Sequence, residues 1–372
     1  MDALYNSLSE MLEGGRIPLP DRDLAEIVIY GAGNCGQKLA SAAKEHGIRV
    51  VAFVDARAKT LESLHGIPCY LPVGEELRAL ASRGIPVVLG FFNYATDPLP
   101  IISLLAEAGF SSIISYFEIH ERLGMSPEFW LAPRMNLYER REEIFAGLEL
   151  FEDSVSRQVY HDHMALRLTF NQSFLQKPSI ETQYAPSDLP PLKRPIRLVD
   201  GGAFIGDTID YFLDESMEVE AVVAFEPDMI NYTKLVAASG KYTDCNVETM
   251  LLPCGIGRVT EVLRFQGGQG AGSLLTESGD LHVQVLAFDD ILPNFRPTLI
   301  KLDIEGAEPE ALRGAAKTIR KYEPDLAVCI YHTPGHLWEI PRQIRELMPS
   351  CKLNLRYHRF NGFDTVLYAS TR

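Results

Sequence analysis

Two glycine-rich turns constrain this chain more than any other feature, because each sits between an apolar strand pattern and a helical one. The first, Gly31-Ala32-Gly33-Asn34-Cys35-Gly36, follows EIVIY and leads into GQKLASAAKEHG. The second, Asp200-Gly201-Gly202-Ala203-Phe204-Ile205-Gly206-Asp207, follows IRLVD and leads into IGDTIDYFL. Strand and helix patterns alternate after both turns, which is the signature of parallel sheets with crossover helices. The expected fold class is therefore α/β: two Rossmann-like domains, at 1–115 and 196–372, joined by a helical connector and linker at 116–195. The connector stretch YERREEIFAGLELFEDSVSRQVYHDHMALRLTF has helical spacing and mixed charge, which reads as a solvated helix face. His161, Asp162 and His163 lie within it, but neighbours at i and i+2 do not share a helix face and so do not converge on a metal. PSDLPPLKRP carries four prolines in ten residues and reads as a linker. In the second alternation a hairpin-like pair, RVTEVLRF and HVQVLAF, flanks the glycine-rich GGQGAGS. Asn361-Gly362 is a tight-turn signal, so the last strand, GFDTVLYAS, is expected as an antiparallel hairpin strand at the C-terminal edge of the sheet.

Composition narrows the function. With Lys+Arg 35 and Asp+Glu 50 among 372 residues, the net charge is 35 − 50 = −15, and 46% of residues are hydrophobic. That content supports real cores, and the charge repels phosphate backbones, so nucleic acid is not an expected partner. The six cysteines are scattered without CxxC or Cys/His ligand spacing, as in a reduced cytoplasmic protein. The N-terminus has no signal-peptide pattern, and the apolar stretch 99–117 is broken by Pro100, Glu107 and Gly109, so no membrane span is expected. Cytoplasmic location is the expectation; oligomeric state is not legible.

At the first turn, Gly31 suits the tight bend, Gly33 lets backbone N–H groups approach a pyrophosphate, and Gly36 allows close strand–helix packing. Asp55 ends the next strand, where it could accept from ribose hydroxyls. A nicotinamide cofactor, another nucleotide or nucleotide-sugar, and a scaffold without cofactor all fit this pattern. GAGNCG, VVAFVD and HGIPCY are also similar to the N-terminal domain of sugar O-acyltransferases.

At the second turn the acid comes before the glycines. Asp200 at the strand end suits a ligand with a positive group, such as the ammonium of a methionyl moiety, and Glu226, in AFEPD at the end of the next strand, suits ribose hydroxyls. Acids around a short glycine turn without Lys or Arg for phosphates fit S-adenosylmethionine (SAM) better than NAD. LVDGGAFIGDT, FEPD, LPCGIG, TLIKLDIEGAEPEAL and the closing DTVLYA together resemble the FkbM-type family of SAM-dependent methyltransferases over about 196–372, and QYAPSDL at 183–189 resembles its lead-in. The resemblance implies methylation of hydroxyl oxygens on sugars, polyketides and related natural products. It further implies that Asp200, Gly202 and Gly206 hold the methionine part and Glu226 the ribose, with Gly201, Ala203 and Pro227 completing the loops. Pro253-Cys254-Gly255 and Ser273 would line the adenine side. Phe204 departs from the general methyltransferase pattern, which has glycine there.

A hydroxyl acceptor is a poor nucleophile until its proton is removed. The candidates for that step lie at strand ends, where ligands of open α/β sheets bind: Asp303, Glu305 and His332, the last also readable as a structural strand-end histidine. Glu308 and Glu310 read as helix-end electrostatics around Pro309, and Thr333 and Pro334 as the cap and first position of the following helix. A Mg²⁺ held by Asp303 and Glu305 with Asp289 or Asp290 is the less favoured route, since Asp289-Asp290 equally resembles a helix cap; no metal is expected. The leading expectation is O-methyl transfer to a small-molecule or glycan hydroxyl. The alternatives are an NAD-dependent sugar-nucleotide oxidoreductase using the first turn, and an N-terminal module that presents substrate.

Overall fold

The computed structural model describes residues 2–13, 17–175, 177–266, 274–275 and 281–372. It is a mixed α/β protein that divides into two compact units, one of 1–141, 161–178 and 359–363, the other of 142–160, 179–358 and 364–372. The segment 116–195, read above as a separate connector, is shared between the two units.

The first unit is built on β1 (Glu26–Tyr30), β2 (Arg49–Val54), β3 (Ser63–Leu64), β4 (Ile67–Tyr70), β5 (Val87–Leu89) and β6 (Ile113–Ile114), in the order β3-β4-β2-β1-β5-β6. All neighbours pair in parallel except β3 with β4. β1 shows why the sheet is covered on both faces: Ile27 and Ile29 join one buried cluster with Leu39 and Val88, while Val28 joins another with Leu77 and Leu105. A period of two with apolar residues on both phases leaves neither face for water.

One expectation fails here. The helix Ser154–Thr169 does not present a solvated face over its second half, where His161, Asp162, His163, Met164, Ala165, Leu166, Arg167 and Leu168 are all buried. Its polar groups are paired internally instead: His161 lies 2.9 Å from both Ser7 Oγ and Asp162 Oδ1. Nearby, the buried guanidinium of Arg134 pairs with Glu121 and donates to the Leu168 carbonyl. Among the described residues no His/Cys/Asp/Glu group able to hold a metal occurs.

The second unit is built on a seven-stranded sheet of β7 (Ile196–Gly201), β8 (Val219–Phe225), β9 (Glu248–Leu252), β14 (Leu299–Leu302), β15 (Asp325–Cys329), β16 (Lys352–Tyr357) and β17 (Thr365–Ser370), ordered β16-β17-β15-β14-β7-β8-β9. The intervening β10 (Gly255–Gly257), β11 (Glu261–Gln266), β12 (Leu274–Leu275) and β13 (Leu281–Ala287) form a small separate sheet, in which β11 and β13 pair antiparallel as the hairpin reading expects. β17 is antiparallel to both its neighbours. It does not lie at the edge, as expected, but between β15 and β16. Thr365, Val366, Leu367, Tyr368 and Ala369 are all buried, so both faces of the strand are covered, and its two edges pair with β15 and β16. The Asn361-Gly362 signal is real at the backbone level, both residues having positive φ (58° and 78°), but they lie within a longer connection over 358–364 rather than a two-residue turn. No described helix is long and apolar enough to cross a membrane.

Candidate active site

In the second unit the carboxyl ends of β7, β8, β14 and β15 carry most of the residues singled out above. After β7 the chain turns sharply, and the Gly202 and Ala203 amides both donate to the Phe225 carbonyl at 3.0 Å. Gly202 has φ +75°, and a side chain there would overlap the Asp303 carbonyl oxygen. Gly206 has φ +93° and abuts the Tyr242 hydroxyl, so both positions exclude a Cβ. Phe204 adopts φ +49°, the conformation that glycine would take at low cost. Its amide donates to Glu226 Oε2 at 2.8 Å, which helps hold this geometry.

Glu226 is buried, and its other oxygen accepts from the Asp228 amide at 2.9 Å. Asn231 adds a side-chain hydrogen bond, and burial pushes the carboxyl up to about 7. Three neutral N–H donors leave acceptor capacity on a carboxylate that has about four lone-pair sites. Cys254, just beyond β9, is buried, and burial raises its thiol to about 11. Pro227 links Glu226 to Asp228, whose side chain caps the helix Met229–Asp244. Ser273 lies outside the described residues.

Asp200 lies at the end of β7, as its place in IRLVD implies. It is fully buried, and the ammonium that meets it is the chain's own Lys301, with Nζ at 2.9 Å. Lys301 also donates to the Gly202 carbonyl at 2.6 Å, so the pair braces the glycine turn from beneath. Burial alone would lower the Lys301 pKa; Asp200 and Asp303 outweigh it and hold the amine above its ordinary range. A lysine in the apolar strand TLIKLDI is itself a sequence signal for a buried partner, because an unpaired charge is not tolerated there.

Beyond β14 and β15 a charged cluster forms around His332. Its Nδ1 lies 2.9 Å from Glu308 Oε1, and its Nε2 faces Asp303 Oδ1 at 3.4 Å and Glu305 Oε2 at 3.7 Å. Glu308 is fully buried; it also accepts from the Ile304 amide and lies 3.4 Å from His336 Nδ1. Tyr184 donates its hydroxyl to Asp303 Oδ2 at 2.9 Å. Glu305 takes φ +55°, a left-handed turn that brings its carboxylate back toward the imidazole. Burial would lower the His332 pKa, but Glu308, then Glu305 and Asp303, carry it up to about 10. Glu308 moves the opposite way: burial would raise it, and His332 pulls it below its usual range. Glu305 is pushed up to about 7 by burial, with His332 opposing. At neutral pH the site therefore holds an imidazolium flanked by carboxylates, one of which titrates near neutrality.

The structure thus gathers Asp303, Glu305 and His332, and adds Glu308 and Tyr184. Glu308 is not merely helix-end electrostatics: it is the inner partner of His332, and nothing in its spacing distinguishes it from Glu310. In the sequence Tyr184 stands out only as part of the QYAPSDL stretch. Asp289 does not approach this cluster; its oxygens accept from the Lys317 and Thr318 amides and cap the helix Ala316–Tyr322. Thr333 and Pro334 precede the next helix, His336–Leu347, whose N-cap is Gly335.

The first glycine turn, in the other unit, is built differently. Gly31 has φ +106°, and a side chain on Gly36 would overlap the Gly31 carbonyl, so these glycines serve close packing as expected. Gly33, the N-cap of Asn34–Glu45, is open. Asp55 accepts from the Ala32 amide and from the Arg57 amide, Nε and Nη2, all at 2.8–2.9 Å. Both lone pairs of each oxygen are taken, and Arg57 holds the carboxyl well below the usual carboxylate range.

Comparison with known proteins bears on the second unit above all. Residues 200–358 match the family model of the methyltransferase FkbM domain, in line with the sequence resemblance. The whole fold is similar to a solved structure, the crystal structure of methyltransferase FkbM from Methylobacillus flagellatus KT. The TM-score is 0.82 at 22% identity, and the match covers 99% of each chain. No curated protein matches.

Proposed function

From an FkbM methyltransferase domain at 200–358 as premise, we propose that the protein is a SAM-dependent O-methyltransferase whose acceptor is a hydroxyl of a sugar, glycan or related natural product. The observation that carries this reading is the convergence, at the carboxyl ends of four neighbouring strands, of the glycine turn, Glu226 and the cluster of Asp303, Glu305 and His332. Glu226 suits the cofactor's ribose, because its carboxylate is fixed by neutral amides and keeps acceptor capacity for a diol. Gly202 and Gly206, bare of side chains, would let the ligand approach the backbone, with Cys254 toward the adenine. Asp200 acts indirectly, through Lys301 and the turn above them. Bound SAM would supply a methyl group already activated by a sulfonium.

The chain's own task is then to bind and orient the acceptor and to receive its proton. His332, kept protonated by Glu308, is a hydrogen-bond donor rather than a base at neutral pH. The proton acceptor is accordingly a carboxylate, and Glu305, with a pKa of about 7, is matched to that role. Asp303, held by Tyr184 on one oxygen and His332 on the other, orients the hydroxyl.

Calorimetric titration with SAM and with its demethylated product tests the cofactor. Absence of binding by either would remove the proposal. Mass-spectrometric detection of methylated product across a panel of monosaccharides and glycosides tests the acceptor class. An NAD-dependent oxidoreductase at the first turn draws no support from Asp55, whose acceptor sites are occupied by Ala32 and Arg57. For that turn we keep the proposal of a nucleotide or nucleotide-sugar held by backbone groups near Gly33.

A further inference from the structure

Around His332 the charges of the active site do not balance. One imidazolium faces three carboxylates, Asp303, Glu305 and Glu308. Lys301 does not redress this, because Asp200 cancels its charge. A fourth carboxylate, Asp364, stands at this same end of the sheet. It immediately precedes the antiparallel β17, whose Val366 pairs with Cys329 at the close of β15. Its field reaches both Tyr184 and Glu305. Glu305 registers the crowding: burial first, then Asp303, Glu308 and Asp364 push it up to about 7 against the pull of His332. With Glu305 ionised to act as base, the single net positive charge of bound SAM still leaves negative charge in excess.

Two of these groups are open to a ligand. Glu308 is fully buried, whereas the side chains of Asp303 and Glu305 are 25% and 18% exposed. Tyr184 takes Asp303 Oδ2. Among the described residues no donor makes a hydrogen bond to Asp303 Oδ1 or to the Glu305 carboxylate; even His332 Nε2, which faces both, makes none. Both carboxylates therefore keep acceptor capacity. Through the shared Nε2 atom their facing oxygens are at most about 7 Å apart, a gap that an amine and a hydroxyl on adjacent carbons bridge with a hydrogen bond of about 2.8 Å at each end. In a half-buried site, uncompensated negative charge repels an anionic ligand and rewards a cationic one.

We propose that the acceptor is an amine-bearing alcohol, such as an amino sugar or aminocyclitol, with its ammonium on Asp303 and the neighbouring hydroxyl on Glu305. This rests on the methyltransferase reading above, in which Asp303 then orients the hydroxyl through the ammonium beside it. Acidic acceptors such as uronic acids are turned away by the same field.

The test is calorimetry of the full chain, with the demethylated cofactor product bound, against methyl glucosaminide, methyl glucoside and methyl glucuronide, with methyl transfer to each measured alongside. The glucosaminide is expected to bind at least about ten-fold more tightly than the glucoside, the worth of one charge-assisted hydrogen bond, and the glucuronide least. That preference should shrink several-fold between about 50 mM and about 500 mM salt, while affinity for the glucoside holds. Asp303→Asn should remove most of the preference for the amine, and Asp364→Asn roughly two- to three-fold of it. If Asp303→Asn does not fold, the wild-type ranking and its salt dependence still decide. Equal or tighter binding of the glucoside, a preference indifferent to salt, or saturable binding of none of the three overturns the proposal. Methyl transfer to the glucoside without a preference for the amine overturns it and leaves the methyltransferase reading standing. A preference for the amine with methyl transfer to none of the three upholds the cationic subsite and counts against that reading instead.

Discussion

The two glycine turns look alike as strings and differ in what their acids are left to do. In the first unit Asp55 stands at the end of the second strand, and all its acceptor sites are taken by Ala32 and Arg57. In the second, Glu226 occupies the equivalent strand end, but its donors are neutral amides and burial holds it at about 7. The difference comes from one neighbour. Arg57, two residues past Asp55, folds back onto it, whereas Pro227 and Asp228 follow Glu226 and offer only a backbone amide. A glycine fingerprint therefore states that a ligand could approach; the satisfaction of the adjacent acid states whether one is wanted.

Substitutions can break or sharpen this contrast. The largest effect is expected for Asp200→Ala, which strands the Lys301 charge in the core and should lower stability by roughly 3–5 kcal/mol in denaturant unfolding. Asp55→Ala should cost only about 1 kcal/mol, the worth of a cap at an accessible turn. Next comes Gly202→Ala, where positive φ and overlap with Asp303 combine to cost roughly 3 kcal/mol. Gly33→Ala, at negative φ with open space around it, should be close to neutral by the same measurement. On ligand binding, Glu226→Ala should weaken the demethylated cofactor product roughly 10- to 100-fold by calorimetry, while Asp55→Ala leaves it unchanged. Equal effects from both variants would dissolve the distinction between the turns.

The smallest expected effect is on pH dependence. A base with a pKa of about 7 works when deprotonated, so turnover should rise about ten-fold from pH 6 to pH 8 and then level. Glu305→Gln should lose both the activity and that inflexion. If the inflexion persists in Glu305→Gln, Glu305 is not the proton acceptor.

Much of the fold was legible because strand and helix periods differ and glycines mark their junctions. EIVIY and IRLVD announced covered strands, and Gly36 announced a close approach that the structure bears out. The errors were of one kind. YHDHMALRL reads as solvated because its charges are mixed, yet Ser7 and Asp162 satisfy His161 in the interior. GFDTVLYAS reads as an edge strand because it comes last, yet it pairs with β15 on one edge and β16 on the other. Glu308 and Glu310 are equivalent in the string and opposite in the fold, one fully buried against His332 and the other paired with Arg313 at the surface.

The sequence by itself determined the parallel-dominated α/β class, the two glycine turns and the strand-end positions of Glu226, Asp303, Glu305 and His332. These follow from local periodicity and from the conformations that glycine allows. Only the tertiary structure decided which carboxylates are spent on internal partners and which remain available. That assignment depends on side chains distant along the chain, Lys301 for Asp200, Glu308 for His332 and Tyr184 for Asp303, and burial turns each such pairing into a fixed charge or a shifted pKa.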